Sequence, residues 1–206
     1  MKIKQFEQIE RQVVPHVSPA LTIRGQFCFL KPLAGTLRGF YFEPSGFNTT
    51  SFYVNMFFLP LCVPVESLHL TFGSRIGAKR RWDVGESGLY SKLATSMSER
   101  LPFLSQLSDT KRVVEALESL AYVGNMHWLE ALSYVLVLDG EYERALSLID
   151  KLLGTPDHQV DWELQIKRRV VLIRDKLLRD EQEACDQLHA WEAENISKLN
   201  LPVVAV

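Results

Sequence analysis

Residues 52–59 have the sequence Phe-Tyr-Val-Asn-Met-Phe-Phe-Leu, and this stretch decides the fold class. It is apolar on both faces of an extended chain, apart from Asn55. Strands of this kind are typical of the centre of a sheet that is covered on both sides. The stretch therefore predicts a central β-strand, with other strands beside it and further elements packed over it.

Three other stretches around this strand are predicted as strands, and residues 21–29 and 68–72 alternate in the way that half-buried strands do. They are residues 21–29, whose odd positions are apolar or glycine, residues 37–42, and residues 68–72. Turn residues separate the stretches at intervals of about 10 residues, which is typical of an antiparallel meander. The sequence thus predicts four antiparallel strands, followed by a loop over residues 73–88.

Helical periodicity lies on both sides of the strands. Phe6, Ile9 and Val13 share one face of an N-terminal helix that we expect to end at Pro15. After residue 88 the period is helical throughout, with a helix pair over residues 128–153 and a long pattern from 162 to 198 that breaks near Asp180. Strands followed by helices, without β-α-β alternation, favour an α+β fold.

The predicted architecture is therefore an N-terminal helix and an antiparallel four-stranded sheet, followed by an all-helical C-terminal half. We expect a helix-plus-sheet domain over residues 1–88 and a helical region over residues 89–206, which together can also form one continuous domain. The apolar tail, residues 201–206, either adds as a strand or docks on the surface.

Charge is distributed unevenly along the 206 residues. Residues 1–106 hold 12 Lys and Arg against 7 Asp and Glu, whereas residues 107–206 hold 11 against 18, and the whole chain has a formal net charge of -2. Hydrophobic residues make up 47% of the chain, which excludes a disordered protein. The imbalance predicts two surfaces of opposite potential, and the acidic total disfavours a nucleic-acid partner.

The cysteines and the apolar segments indicate a cytoplasmic protein without a membrane partner. Cys28, Cys62 and Cys185 are odd in number and form no C-x-x-C motif, which favours reduced thiols. The N-terminus lacks the continuous apolar core of a signal peptide. Residues 52–65, the longest apolar stretch, are broken by Asn55 and two prolines and are too short to cross a bilayer.

We find no motif that indicates catalysis. The glycines in residues 73–79 have the wrong spacing for a phosphate-binding loop and favour a plain sheet-to-helix loop. Cys185 and His189 are four residues apart on a helix, but a zinc site needs a third and a fourth ligand. Lys167, Arg168 and Arg169 lie within a helix and are expected to pair with acids such as Glu163. No catalytic, cofactor-binding or metal-ligating residue is predicted.

Residues 128–156 resemble a tetratricopeptide helix pair. Gly140 fits the tight turn between the helices, Ala145 permits their close approach, and Leu136, Tyr142, Leu153 and Pro156 match the same pattern. One unit is clear, whereas a repeat array needs about three. The resemblance implies a helix hairpin and, where an array is present, a peptide-binding groove.

Residues 21–84 are similar to an uncharacterised bacterial α+β family of the immunity- and defence-associated type. The matching residues are those of 37–45, 52–55, 60–64 and 70–77, together with Trp82. The resemblance implies the fold, and it suggests a protein that docks on another protein such as a toxin or a subunit of a defence complex.

Two charged segments are the predicted partner-binding residues. The acidic turn between the paired helices contains Asp139, Glu141 and Glu143, and an inhibitor of a nuclease presents such a face to a basic active site. The loop before the helical half contains Arg75, Lys79, Arg80, Arg81 and Trp82, basic side chains beside an aromatic ring. Solvated helix and loop surfaces give the same composition.

Three functional classes follow from these observations. The first is a non-catalytic immunity- or defence-associated protein that occludes a partner, and it predicts a stable complex. The second is a scaffold or adaptor, which predicts a concave helical surface with an apolar floor. The third is an enzyme, which predicts a deep pocket that holds polar residues with perturbed pKa values. The sequence favours the first class and leaves the oligomeric state open.

Overall fold

The first helix, α1, extends over Ile3–Val17 in the computed structural model, which describes residues 3–77, 81–120, 125–156 and 160–202. The predicted end at Pro15 is wrong by two residues. Proline keeps a helical φ, so near the end of a helix it removes one backbone hydrogen bond without breaking the helix. Phe6, Ile9 and Val13 are buried, as the periodicity predicts.

An antiparallel sheet follows α1. Its strands are β1 (Leu21–Arg24), β2 (Phe27–Leu30), β3 (Thr36–Pro44), β4 (Ser51–Pro60), β5 (Gly73–Arg75) and β6 (Trp82–Asp83). They lie in the order β1-β2-β3-β4-β5, and β6 also pairs with β4. The strand predicted as central is β4, which lies between β3 and the two short strands and is largely buried.

The described residues form six strands and not the predicted four. Residues 21–29, predicted as one strand, form a hairpin in which Arg24 pairs with Phe27. Gly25 has a φ of 63°, which permits the two-residue turn, and the alternation of side chains continues through it. The predicted last strand over residues 68–72 is displaced, because pairing with β4 begins at Gly73. The predicted loop 73–88 accordingly contains β5 and β6.

The rest of the described chain is helical. The helices are α2 (Leu89–Ser98), α3 (Leu101–Gln106), α4 (Thr110–Leu120), α5 (Met126–Leu138), α6 (Tyr142–Leu153), α7 (Asp161–Arg179) and α8 (Glu181–Lys198). The predicted helix pair is confirmed as α5 and α6, and the predicted break is confirmed at Asp180 between α7 and α8. Leu201 is buried, and residues 203–206 of the apolar tail lie outside the described residues.

The contacts group the chain into two compact units. The first contains Met1–Leu59 and His69–Ser108, and the second contains Pro60–Leu68 and Asp109–Val206. This grouping places α2 and α3 with the sheet, so that the border lies after Ser108 rather than after residue 88. A short segment between β4 and β5 belongs to the helical unit.

Aromatic rings join α1 to the sheet in the first unit. The centroids of Phe6 and Phe42 are 6.3 Å apart, and the Phe6 ring meets Phe52 edge-on at 6.0 Å. Arg38 is also buried, and its Nη1 donates to the carbonyl oxygens of Leu33 at 2.7 Å and Thr36 at 3.1 Å. The arginine thereby holds the loop before β3 against the sheet.

Helix α5 forms the centre of the second unit. It packs against α4, α6, α7 and α8, and nearly all of its residues are buried. A helix that is apolar on every face needs such complete cover. Among the described residues, no helix combines the length and the apolar character that crossing a membrane requires.

Candidate functional site

The turn between α5 and α6 is fixed by backbone hydrogen bonds. Asp139 ends α5, Gly140 has a φ of 78°, and Glu141 precedes α6. The amide of Gly140 donates to Val137 O at 3.1 Å and that of Glu141 to Leu136 O at 2.9 Å. This is a Schellman motif, in which the left-handed position favours glycine. The backbone that carries the acidic side chains of the turn is therefore fixed by these hydrogen bonds.

The carboxylates at this turn repel one another. The pKa of Asp139 is raised by partial burial and by the charges of Glu141 and Asp109, whereas Lys111 acts in the opposite direction. Glu141 is better compensated, because its carboxylate accepts a hydrogen bond from Arg144. Glu143 is exposed in the first turn of α6. We call Asp109, Asp139, Glu141 and Glu143 the acidic surface.

Two acids beside this turn, Asp109 just before α4 and Glu118 within α4, were missed by sequence reasoning. Asp109 accepts a hydrogen bond from the amide of Lys111 at 2.9 Å and so caps α4. Arg144 bridges Glu141 of the turn and Glu118 of α4. The sequence does indicate a helix N-cap at Ser108-Asp109. Nothing in the sequence, however, places that cap beside Asp139.

The predicted basic loop is more dispersed than its sequence indicates. Arg75 lies in β5, with its guanidinium 3.7 Å from the ring centroid of Tyr53 and 3.6 Å from a carboxylate oxygen of Glu43. Arg81 lies 5.7 Å from the ring centroid of Phe47, whose side chain is 79% exposed. Arg75 is thus partly neutralised, whereas Arg81 borders an exposed aromatic ring.

The expectation that Trp82 offers a ring to a partner is wrong. Trp82 forms part of β6, pairs with Phe52 of β4 and has no exposed surface. The local sequence does not distinguish an aromatic side chain that is buried in a core from one that faces solvent. Lys79 and Arg80 lie outside the described residues.

A buried ion pair in the second unit was also not predicted. Arg169 donates to Glu130 at 2.8 and 3.1 Å, and the Tyr134 hydroxyl donates to the same carboxylate at 3.3 Å. Burial raises the pKa of Glu130, and the Arg169 guanidinium opposes that rise. The sequence predicts acids such as Glu163 as partners of residues 167–169, whereas the observed partner of Arg169 comes from α5. An acid within a helix as apolar as α5 is the signal that points to such a pair.

A cavity of about 390 Å³ lies at the start of α5 and α7. It is lined by Asn125, Met126, His127, Thr155, Pro156, Trp162 and Glu163. His127 stacks on Trp162 with ring centroids 5.0 Å apart, and burial, together with the charge of Arg169, lowers the pKa of His127. The size suits a small ligand, but the Thr155 hydroxyl donates to Leu152 O at 2.6 Å and is not directed at His127. The cavity is therefore a weaker candidate than the acidic surface.

Cys185 and His189 do not converge on one point. The Cys185 thiol donates to Val137 O at 3.9 Å, and His189 Nδ1 lies 3.4 Å from a carboxylate oxygen of Glu192. Within residues 3–77, 81–120, 125–156 and 160–202, no group of three or more His, Cys, Asp or Glu side chains could hold a metal ion.

Comparison of the chain with family models, with curated proteins and with solved structures gives no match.

Proposed function

We propose that this chain is a non-catalytic protein-binding protein that docks on a cationic surface of its partner through the acidic surface. The observation that supports this proposal is the clustering of carboxylates at the helix turn, where the charges of Glu141 and Asp109 act on the carboxylate of Asp139. A cationic partner would relieve that repulsion. Charge complementarity of this kind speeds association and selects the partner.

The ordered backbone that carries the acidic surface also supports the proposal. Asp139 and Glu141 lie on a Schellman turn, and Asp109 caps the neighbouring helix α4. A rigid surface loses little conformational entropy on binding, so more of the interaction energy appears as affinity. The family resemblance of residues 21–84 suggests the partner class, a toxin or a defence-complex subunit in the cytoplasm, and a nuclease with a basic active site fits the charge.

The test is capture of the partner from the native host with the tagged chain, identification by mass spectrometry, and calorimetric titration of the purified pair. Reversal of Asp139, Glu141 and Glu143 to lysine should weaken binding by at least about tenfold, since each charge pair at a desolvated interface contributes about 1 kcal/mol or more. The affinity should also fall as the pH is lowered, because a raised pKa lets Asp139 gain its proton early.

The matched control is reversal of three exposed acids elsewhere, Glu66, Glu99 and Glu194. It makes the same change in net charge, so a general electrostatic effect would weaken binding equally in both variants. Equal affinities of the two triple variants for the partner would show that the acidic surface is not part of the interface. A captured partner that is acidic would contradict the charge argument directly.

A scaffold or adaptor is the second candidate, and the α5–α6 hairpin favours it. Ala145 is fully buried where the two helices meet, and Gly140 makes the turn, as in a tetratricopeptide pair. However, α8 packs on both α5 and α7, and this cover leaves α5 little surface for a groove. An adaptor should bind an isolated peptide of its partner as tightly as the folded partner, whereas an occluding protein should need the folded surface.

A further inference from the structure

The outer side of helix α7 carries apolar side chains that no other described element covers. Its inner face is buried through Ile166, Val170, Ile173 and Leu177. On the outer side, Val171 is 42%, Leu172 40% and Leu178 60% exposed. Val171 and Leu178 are seven residues apart and share one face, with Leu172 at its edge, and exposed apolar side chains grouped in this way are typical of a contact surface.

Two opposite charges lie on the same outer face. At 3.6 residues per turn, Arg168 and Asp175 share the direction of Val171, opposite to the buried residues, and they are separated by about 10.5 Å along the axis. Neither side chain forms an ion pair with any residue in the described part of the chain. By contrast, the neighbouring Arg169 and Arg174 are bound to Glu130 and Asp150.

This arrangement is complementary to itself. When a second α7 lies antiparallel on the first, with a two-fold axis next to Val171, Arg168 of each helix meets Asp175 of the other. The same operation brings Leu164 near Leu178 and Val171 near its own copy, each within one residue of exact register. A two-fold interface requires that one surface complement itself in this way. Antiparallel pairing thus satisfies both charges and covers the apolar residues at once.

We propose that two copies of this chain associate through the outer faces of α7, in antiparallel orientation. The partner is a second copy, because a surface with equal and opposite charges placed symmetrically about an apolar centre fits itself. One helix pair forms an interface at the small end of the range for specific complexes, so a micromolar dissociation constant is expected.

Sedimentation equilibrium of the full chain tests this proposal. Arg168→Asp and Asp175→Arg each place two like-charge pairs across the two-fold axis, and each variant alone should dimerise at least about tenfold more weakly than the wild type. An equimolar mixture of the two variants should form a heterodimer, since one brings two acids and the other two arginines. Recovery on mixing also shows that both variants are folded.

Glu194→Arg is the control, because Glu194 is an exposed acid on α8 and not on α7. It should dimerise like the wild type. A wild-type chain that stays monomeric far above micromolar concentration would overturn the proposal. A dimer that is insensitive to both α7 substitutions, or that shows no recovery on mixing, would place the interface elsewhere and overturn it equally.

Discussion

Glu10 lies in an environment that disfavours its charged form. It lies on α1 with no exposed surface, and neither carboxylate oxygen has a hydrogen-bond partner among the described residues. Burial, with a smaller contribution from the charge of Glu7, raises its pKa from 4.5 to about 8. Glu10 therefore holds a proton at neutral pH, and the core of the first unit contains a neutral carboxyl group.

This proton links the stability of the protein to pH. The folded pKa lies above the unfolded one, so the folded state binds more protons between about pH 4.5 and about pH 8. The free energy of unfolding must then fall as the pH rises through this window, by up to about 1.4 kcal/mol per pH unit. Glu10→Gln removes this titration. The free energy of unfolding of the variant minus that of the wild type should therefore rise by on the order of 3 kcal/mol between about pH 5 and about pH 8.

Urea unfolding of both proteins across that pH range measures the difference. All other groups titrate in both proteins. Subtracting the two free energies of unfolding at each pH therefore isolates the contribution of Glu10. A difference in stability that stays constant with pH would show that Glu10 is ionised in the folded protein.

Other single residues show how far the sequence could predict the candidate site. Asp139, Glu141 and Glu143 could be found because a Gly-containing break between two periodic helices marks a turn at the surface. Glu130 and Arg169 could not be paired, since they are 39 residues apart and meet only when α7 packs against α5. The burial of Trp82 depends on a strand of two residues, too short to leave a periodic signal.

At the scale of elements, the segment Pro60–Leu68 is joined to α8 by one side chain. Asn195 is buried, and its Nδ2 donates to Leu61 O at 2.8 Å and to Val63 O at 2.7 Å. Its Oδ1 accepts from the amide of Val65 at 3.2 Å. Three backbone groups of an irregular segment thus obtain their hydrogen bonds from a helix.

Asn195→Leu keeps the approximate volume but leaves these three backbone groups buried without partners. Each such group costs about 1–3 kcal/mol, so we expect a loss of at least about 3 kcal/mol. Glu194→Leu, one position earlier on the exposed face of α8, should change stability by less than about 0.5 kcal/mol. Denaturant unfolding of the two variants provides the comparison, and similar midpoints would mean that Asn195 does not support this segment.

The elements themselves were predictable to different degrees. Helices α5 to α8 bury one stripe or the whole surface over three or more turns, so their periodicity and caps located them within a few residues. The sequence predicts one strand in place of the β1–β2 hairpin, because alternation persists through a two-residue turn. β5 and β6 each contain three residues or fewer, and their pairing with β4 is set by tertiary contacts and not by a local pattern.

At the scale of the whole molecule, the chain crosses between its two units three times, after Leu59, after Leu68 and after Ser108. The periodicity of the sequence changes from strand to helix near residue 88, and the predicted border lies at that change. The contacts follow a different division, since α2 packs on α1 and residues 60–68 contact the helices. Local sequence patterns report the type of an element but not the core that it joins.

This interleaving predicts that the helical unit is not stable as a continuous fragment. Residues 109–206 alone lack the segment that satisfies Asn195 and that adds Leu61, Cys62 and Val63 to the buried core. We expect this fragment to unfold without a sharp transition, and the same fragment with residues 60–68 attached through a Gly-Ser linker to regain one. Thermal unfolding followed by circular dichroism compares the two, with a scrambled 60–68 segment as the control. If all three fragments unfold at the same midpoint, the segment is a passive connection, and the helical unit is complete from residue 109 onward.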